Sequence, residues 1–116
     1  MQEIFKSFRN AFSGIFFTFR QERNFQIESL LGIAALLGAW YFDFSRLELG
    51  LVVIMTALVL ALELFNTAIE RTMDILKPTV HPYVKAVKDI VAGAVLIVAL
   101  AAIALGILLY APHLFT

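Results

Sequence analysis

Apolar positions are spaced in two ways along this chain, and the change of spacing marks its organisation. Phe5, Phe8, Phe12, Phe16 and Phe19 recur at steps of three and four, while Lys6, Arg9, Ser13 and Arg20 fall on another face. That period predicts an amphipathic helix. Aromatics opposite cations suit a helix lying in the headgroup layer of a bilayer, and equally a Phe stripe packed on other protein. Further along, the periodicity gives way to apolar runs over 29–42, 49–62 and 90–116, the last without a charge. Because about 20 apolar residues are needed to cross about 30 Å of hydrocarbon, only the third run is long enough by itself. The first two can span by borrowing flanking polar residues at the interface, and Trp40 and Tyr41 resemble an interfacial anchor for the first.

Two breaks separate the runs. FDFSRLELG reads as a tight loop with a helix start at Ser45, and LKPTVHP stops the following helix through Pro78 and Pro82. The expected fold is therefore an all-α membrane protein of one domain, 1–116. It has an N-terminal amphipathic surface helix and lead-in over 1–28, then three transmembrane helices over about 29–44, 46–74 and 85–112. Lys6, Arg9, Arg20 and Arg23 precede the first span, Arg46 sits in the first loop, and Arg71, Lys77, Lys85 and Lys88 surround the second. The positive-inside rule then places the N-terminus and second loop in the cytoplasm and the C-terminus outside, as in a multi-pass membrane protein. MQEIFKSFRNAF lacks an apolar core followed by a small-residue cleavage site, so it is not read as a removed signal peptide.

Composition narrows the chemistry. Of 116 residues, 61% are apolar, well above the roughly 45–50% of soluble domains, which makes a membrane the expected solvent. Nine basic and nine acidic residues cancel, so nothing points to nucleic acid. With no cysteine and two histidines, thiol chemistry is excluded and a metal would need oxygen ligands.

The acidic residues are not scattered. In ELFNTAIERTMD, Glu63, Asn66, Glu70 and Asp74 are spaced three, four and four, which gives one polar stripe on a helix. Seven residues separate Glu63 from Glu70, about 10 Å along the axis, so Glu70 is expected near the cytoplasmic surface and Glu63 within the apolar region. An ionisable residue at that depth costs a few kcal/mol and signals function, although it can also serve as interhelical glue. Lys85, Lys88 and Asp89 stand at the mouth of the third span, just before Ala92, Gly93 and Ala94, small residues that permit close helix approach. The lysines could merely snorkel. In RQERNFQIE, Glu22 could face the same site, whereas Glu28 reads equally well as a solvated interfacial charge. These parts suit phosphoryl transfer: carboxylates for Mg²⁺, a lysine for phosphate charge, and a carboxylate at lipid level to take a proton from an alcohol.

ELFNTAIERTMD followed by HPYVKAVKDIVAGAVLI closely resembles the prokaryotic integral-membrane lipid kinases, the family of bacterial diacylglycerol kinase and undecaprenol kinase. The pattern E-x-x-N-[ST]-A-I-E, an Asp, then a His before x-K-D-x-x-[AS]-[AG]-A-V-L-I covers about a third of the chain, and the length and layout extend the likeness to nearly all of it. The resemblance implies a homotrimer with composite sites at subunit boundaries, using ATP and Mg²⁺. It makes Glu63 the general base, Asn66 its neighbour, Glu22 and Glu70 metal ligands, Lys88 the phosphate contact and Asp89 its helper. Asp74 and His81 match the periphery of the nucleotide site. SFRNAFSGI resembles the family's surface helix with its Gly14, but Asn10 stands where an aromatic or His is common. ERNF and the HP dipeptide are more similar to undecaprenol kinases, which favours undecaprenol over diacylglycerol as the membrane lipid alcohol. A small multidrug transporter would explain Glu63 alone, and a noncatalytic scaffold would predict no nucleotide dependence.

Overall fold

A computed structural model describes residues 1–76 and 82–115. Among these residues the chain is wholly helical: α1 (Gln2–Gln21), α2 (Arg23–Tyr41), α3 (Arg46–Leu76) and α4 (Pro82–Leu114). The α1–α2 corner needs neither Gly nor Pro. Glu22 alone is extended (φ −116°, ψ 116°), its N–H still donating to the Thr18 carbonyl. The Gln26 amide donates to the Phe19 carbonyl at 2.7 Å, partnering one of the carbonyls that a helix end leaves without a helical N–H. Phe19 and Phe25 meet edge to face across the same corner.

The α2–α3 reversal is built from two motifs in succession. Phe44 N–H donates to Ala39 and Asp43 N–H to Trp40, with Asp43 in the left-handed region at φ 56°, the pattern of a Schellman ending. Asp tolerates that conformation better than most residues that carry a Cβ. Ser45 and Glu48 then form a reciprocal cap, the Ser45 N–H on Glu48 Oε1 at 2.8 Å and the Glu48 N–H on Ser45 Oγ at 3.2 Å. The helix start expected at Ser45 is therefore present. α4 begins at Pro82, a residue suited to a first helical position, three residues before the expected start.

α2 and α4 both pack along α3, and α1 also contacts α2 and α3, with Phe17 lying under Arg71 of α3. The molecule measures 56 × 41 × 21 Å, and its thinnest dimension is about two helix diameters. Its apolar core is accordingly small: Phe25, Ala39 and Val52 are buried, and α4 buries no residue. α3 and α4, 31 and 33 residues, are long and apolar enough to cross a membrane. α2 is 19 residues, about 28 Å. Helices this apolar and this exposed need lipid or further protein around them. The helix that the Phe period predicted is present as α1, and Phe5, Phe8, Phe12, Phe16 and Phe19 are all exposed along it.

α2 and α3 approach closely at Gly32, where a Cβ would stand 2.6 Å from Thr56 Cγ2. Beside this crossing lies a cavity of about 390 Å³ between α2, α3 and α4. Its walls are mostly apolar, with Val52, Ala99 and Ile103 among them, and Glu28, Thr56 and Tyr110 carry polar groups in its lining.

Candidate active site

α3 carries the central residues because its polar stripe turns inward at one end and outward at the other. Glu63 is 4% exposed, Asn66 is half-buried, and Glu70 and Asp74 are exposed. Asn66 joins the two levels: its Nδ2 donates to Glu70 Oε1 at 3.2 Å, and its side chain also interacts with the Glu63 carboxyl. Thr67, one turn beyond Glu63 and also buried, extends the inward face of α3.

Other elements bring charge to this stripe. Glu22, held at the α1–α2 corner, and Glu70 both act electrostatically on Glu63. From α4, Lys88 Nζ donates to Asp74 Oδ1 at 2.7 Å and also feels the charge of Glu70. The structure thus gathers Glu22, Glu63, Asn66, Glu70, Asp74 and Lys88 at one end of the bundle. Asp89 is not drawn to them. It pairs with Lys85 at 2.6 Å, one turn back on its own exposed helix face. His81 lies outside the described residues. Asn10 and Gly14 are exposed on α1, with open space around Gly14.

Two residues carry more than the sequence reading gave them. Glu28 is not a solvated charge: it lines the α2–α3–α4 cavity, faces Glu63 electrostatically, and its Oε2 is buried without a hydrogen-bond partner. Buried polar atoms are ordinarily satisfied by protein or ordered water, so this carboxyl oxygen marks a polar position in an otherwise largely apolar cavity. Its position four residues before Gly32, on the side where α2 meets α3, was a sequence signal that spacing could have supplied. Arg71 donates to Glu22 at 3.1 Å and lies over the Phe17 ring.

The donor set fits a hard divalent cation. Glu22 and Glu70 offer anionic oxygens, and among the described residues no three acidic or histidine side chains converge to cage an ion. Mg²⁺ is commonly held by one or two carboxylates and completed by phosphate oxygens and water, so a sparse protein set suits it.

Comparison with known proteins gives the family. Residues 9–110 match the family model of prokaryotic diacylglycerol kinase. The undecaprenol kinase of Bacillus subtilis (strain 168) is 38% identical over 114 residues, covering 98% of this chain and 93% of that protein. A diacylglycerol kinase of Synechocystis sp. is 35% identical over 111 residues, covering 95% of this chain and 63% of its own length. One from Pseudomonas aeruginosa is 33% identical over 94 residues, covering 81% of this chain and 76% of that protein. With the match extending over most of its length, the chain belongs to the prokaryotic diacylglycerol kinase family and is an enzyme, a lipid kinase.

Proposed function

We propose that this enzyme transfers the γ-phosphoryl group of ATP, with Mg²⁺, to the hydroxyl of undecaprenol in a bacterial inner membrane. The observation that carries the reading is the gradient along α3, from a Glu63 that is 4% exposed to a Glu70 open to solvent. A water-soluble nucleotide can reach Glu70, and an alcohol on an apolar tail can reach Glu63 from the bilayer side. The apolar cavity takes part of that tail, with Glu28 supplying a polar group in its lining.

Glu63 takes the proton as the alcohol oxygen attacks the γ-phosphorus; the new P–O bond forms while the bond to the β-phosphate oxygen breaks, leaving ADP and a lipid monophosphate. Asn66 orients the Glu63 carboxyl through its side-chain contact. Lys88 moves from Asp74 to the phosphates and offsets their charge, Asp89 and His81 border the nucleotide, and Glu22 with Glu70 holds the metal. Mg²⁺, when bound, neutralises phosphate charge and fixes the polyphosphate in place.

The whole chain acts as one membrane domain, with α2, α3 and α4 as three spans, α1 on the cytoplasmic surface and the C-terminus outside. Assembly as a homotrimer follows the family resemblance, and exposed apolar surface is available for it as well as for lipid. Diacylglycerol is the second reading, because two of the relatives are diacylglycerol kinases. ERNF and HP, and the 38% identity to an undecaprenol kinase across nearly the whole chain, favour the polyprenol. Purified protein supplied with labelled ATP and each alcohol in turn should move label into a chloroform-soluble product, faster with undecaprenol. Faster labelling of diacylglycerol reverses the substrate assignment, and label in neither product ends the reading.

A further inference from the structure

Arg71 immediately follows Glu70 on α3, and it leaves the Glu63–Asn66–Glu70 stripe for the corner between α1 and α2. There its Nη2 donates to Glu22 Oε1 at 3.1 Å, and its guanidinium carbon stands 5.3 Å from the centre of the Phe17 ring. We propose that Arg71 is a further nucleotide-binding residue, whose guanidinium leaves Glu22 for a phosphate oxygen when the metal–nucleotide binds. The proposal rests on the reading of Glu22 and Glu70 as the metal-holding pair.

Charge is the first reason. Glu22 and Glu70 already repel Glu63, and a polyphosphate adds further negative charge at the same place. Binding it requires cations close to Glu70. Lys88 supplies one from α4 and is paired with Asp74 at 2.7 Å. Arg71 supplies another from the side of α1, paired in the same manner with Glu22. Each cation is held by an acidic partner beside the position that the phosphates would take.

Cheapness of exchange is the second reason. The side chains of Arg71 and Glu22 are 46% and 29% exposed, and an ion pair so open to water contributes little and is screened by salt. When Glu22 turns to the metal, the guanidinium loses a weak partner and keeps its stacking surface on Phe17. Its planar fork matches phosphate oxygens as well as it matches a carboxylate. An arginine serving only to tie α1 to α3 would gain nothing from nucleotide.

The test is calorimetric titration of a non-hydrolysable ATP analogue with Mg²⁺ into full-length protein in detergent, comparing wild type, Arg71→Gln and Arg71→Lys. Arg71→Gln should raise the dissociation constant by about tenfold, the lower end for losing a hydrogen bond to a charged group. Arg71→Lys keeps the charge and loses the fork, so it should fall between the other two. In turnover assays the KM for ATP should rise more than kcat falls. If Arg71→Gln binds the analogue as wild type does while its thermal stability drops, Arg71 is only a tie and the proposal is overturned. Should Arg71→Gln fail to fold, wild-type affinity in Arg71→Lys overturns it equally. Absence of saturable binding by wild type would instead remove the nucleotide site itself, a distinguishable failure.

Discussion

The two ends of the helix bundle both contain buried or half-buried polar groups, and they treat them in opposite ways. At the α2–α3 turn Ser45, Glu48, Tyr110 and His113 have internal partners. Glu48 accepts from Ser45 and faces His113 at 3.5 Å, Tyr110 donates to the Ala35 carbonyl, and Phe42, Phe44 and His113 stack together. At the Glu63 end, carboxylates are gathered against their own repulsion, and the Glu28 Oε2 is buried without a partner. Folding alone would not favour the second arrangement, because each unsatisfied or like-charged group costs stability. On the proposed function, the difference separates polar groups that hold the bundle from polar groups kept for a ligand. It predicts that substitutions at the Glu63 end remove activity at little cost in stability, and that those at the Tyr110 end do the reverse.

The largest effect is expected from Glu63→Gln, which removes the proton acceptor while keeping the shape. Turnover should fall by at least roughly 10²-fold, the usual lower bound for a positioned general base, with ATP affinity little changed. The measurement is turnover in lipid, on protein shown to retain its helical content and oligomeric state. A rate near wild type would make Glu63 structural and erase the contrast between the two ends.

Glu70→Gln should follow, raising the Mg²⁺ concentration for half-maximal activity by roughly tenfold, the scale of one lost charge-assisted contact. Glu22→Gln is expected to behave alike. Unchanged metal dependence in both would count against the oxygen pair as the metal site.

Lys88→Ala should lower nucleotide affinity and turnover by several-fold, and Lys85→Ala much less, since Lys88 reaches Asp74 and feels Glu70 whereas Lys85 pairs along its own helix. Equal effects would mean that both lysines merely add positive charge at the membrane surface.

Gly32→Ala tests the ground between the ends. Its Cβ would meet Thr56 Cγ2 at 2.6 Å, and overpacking of this kind costs about 1–3 kcal/mol. Thr56→Ser, which deletes that methyl, should recover most of the loss in thermal stability. A double variant no better than Gly32→Ala would show that the crossing is not limited by this contact.

Tyr110→Phe is expected to do least. It deletes one hydrogen bond to a helix carbonyl, worth about 1 kcal/mol, and should lower thermal stability slightly while leaving turnover intact. A large loss of activity there would break the separation between holding and ligand-binding ends.

What the sequence determined by itself is what neighbours in the chain decide. The Phe stripe of α1, the reciprocal cap at Ser45 and Glu48, and the alignment of Glu63, Asn66 and Glu70 follow from a 3.6-residue period and hydrogen bonds spanning at most four residues. The motif around those residues also carried the family resemblance. Tertiary structure alone decided where the remaining charges went. Glu28 turned inward because α2 crosses α3 at Gly32, and Asp89 stayed with Lys85 on an exposed helix face. Lys88 reached Asp74 across two helices, and Arg71 found Glu22 across 49 positions of chain. The break at Glu22 left no Gly or Pro in the sequence, because it is held by a side-chain amide and a pair of aromatic rings from the two helices that it joins. Spacing along a helix sets which residues share a face; only the neighbouring helices determine which face is inward and which charges meet.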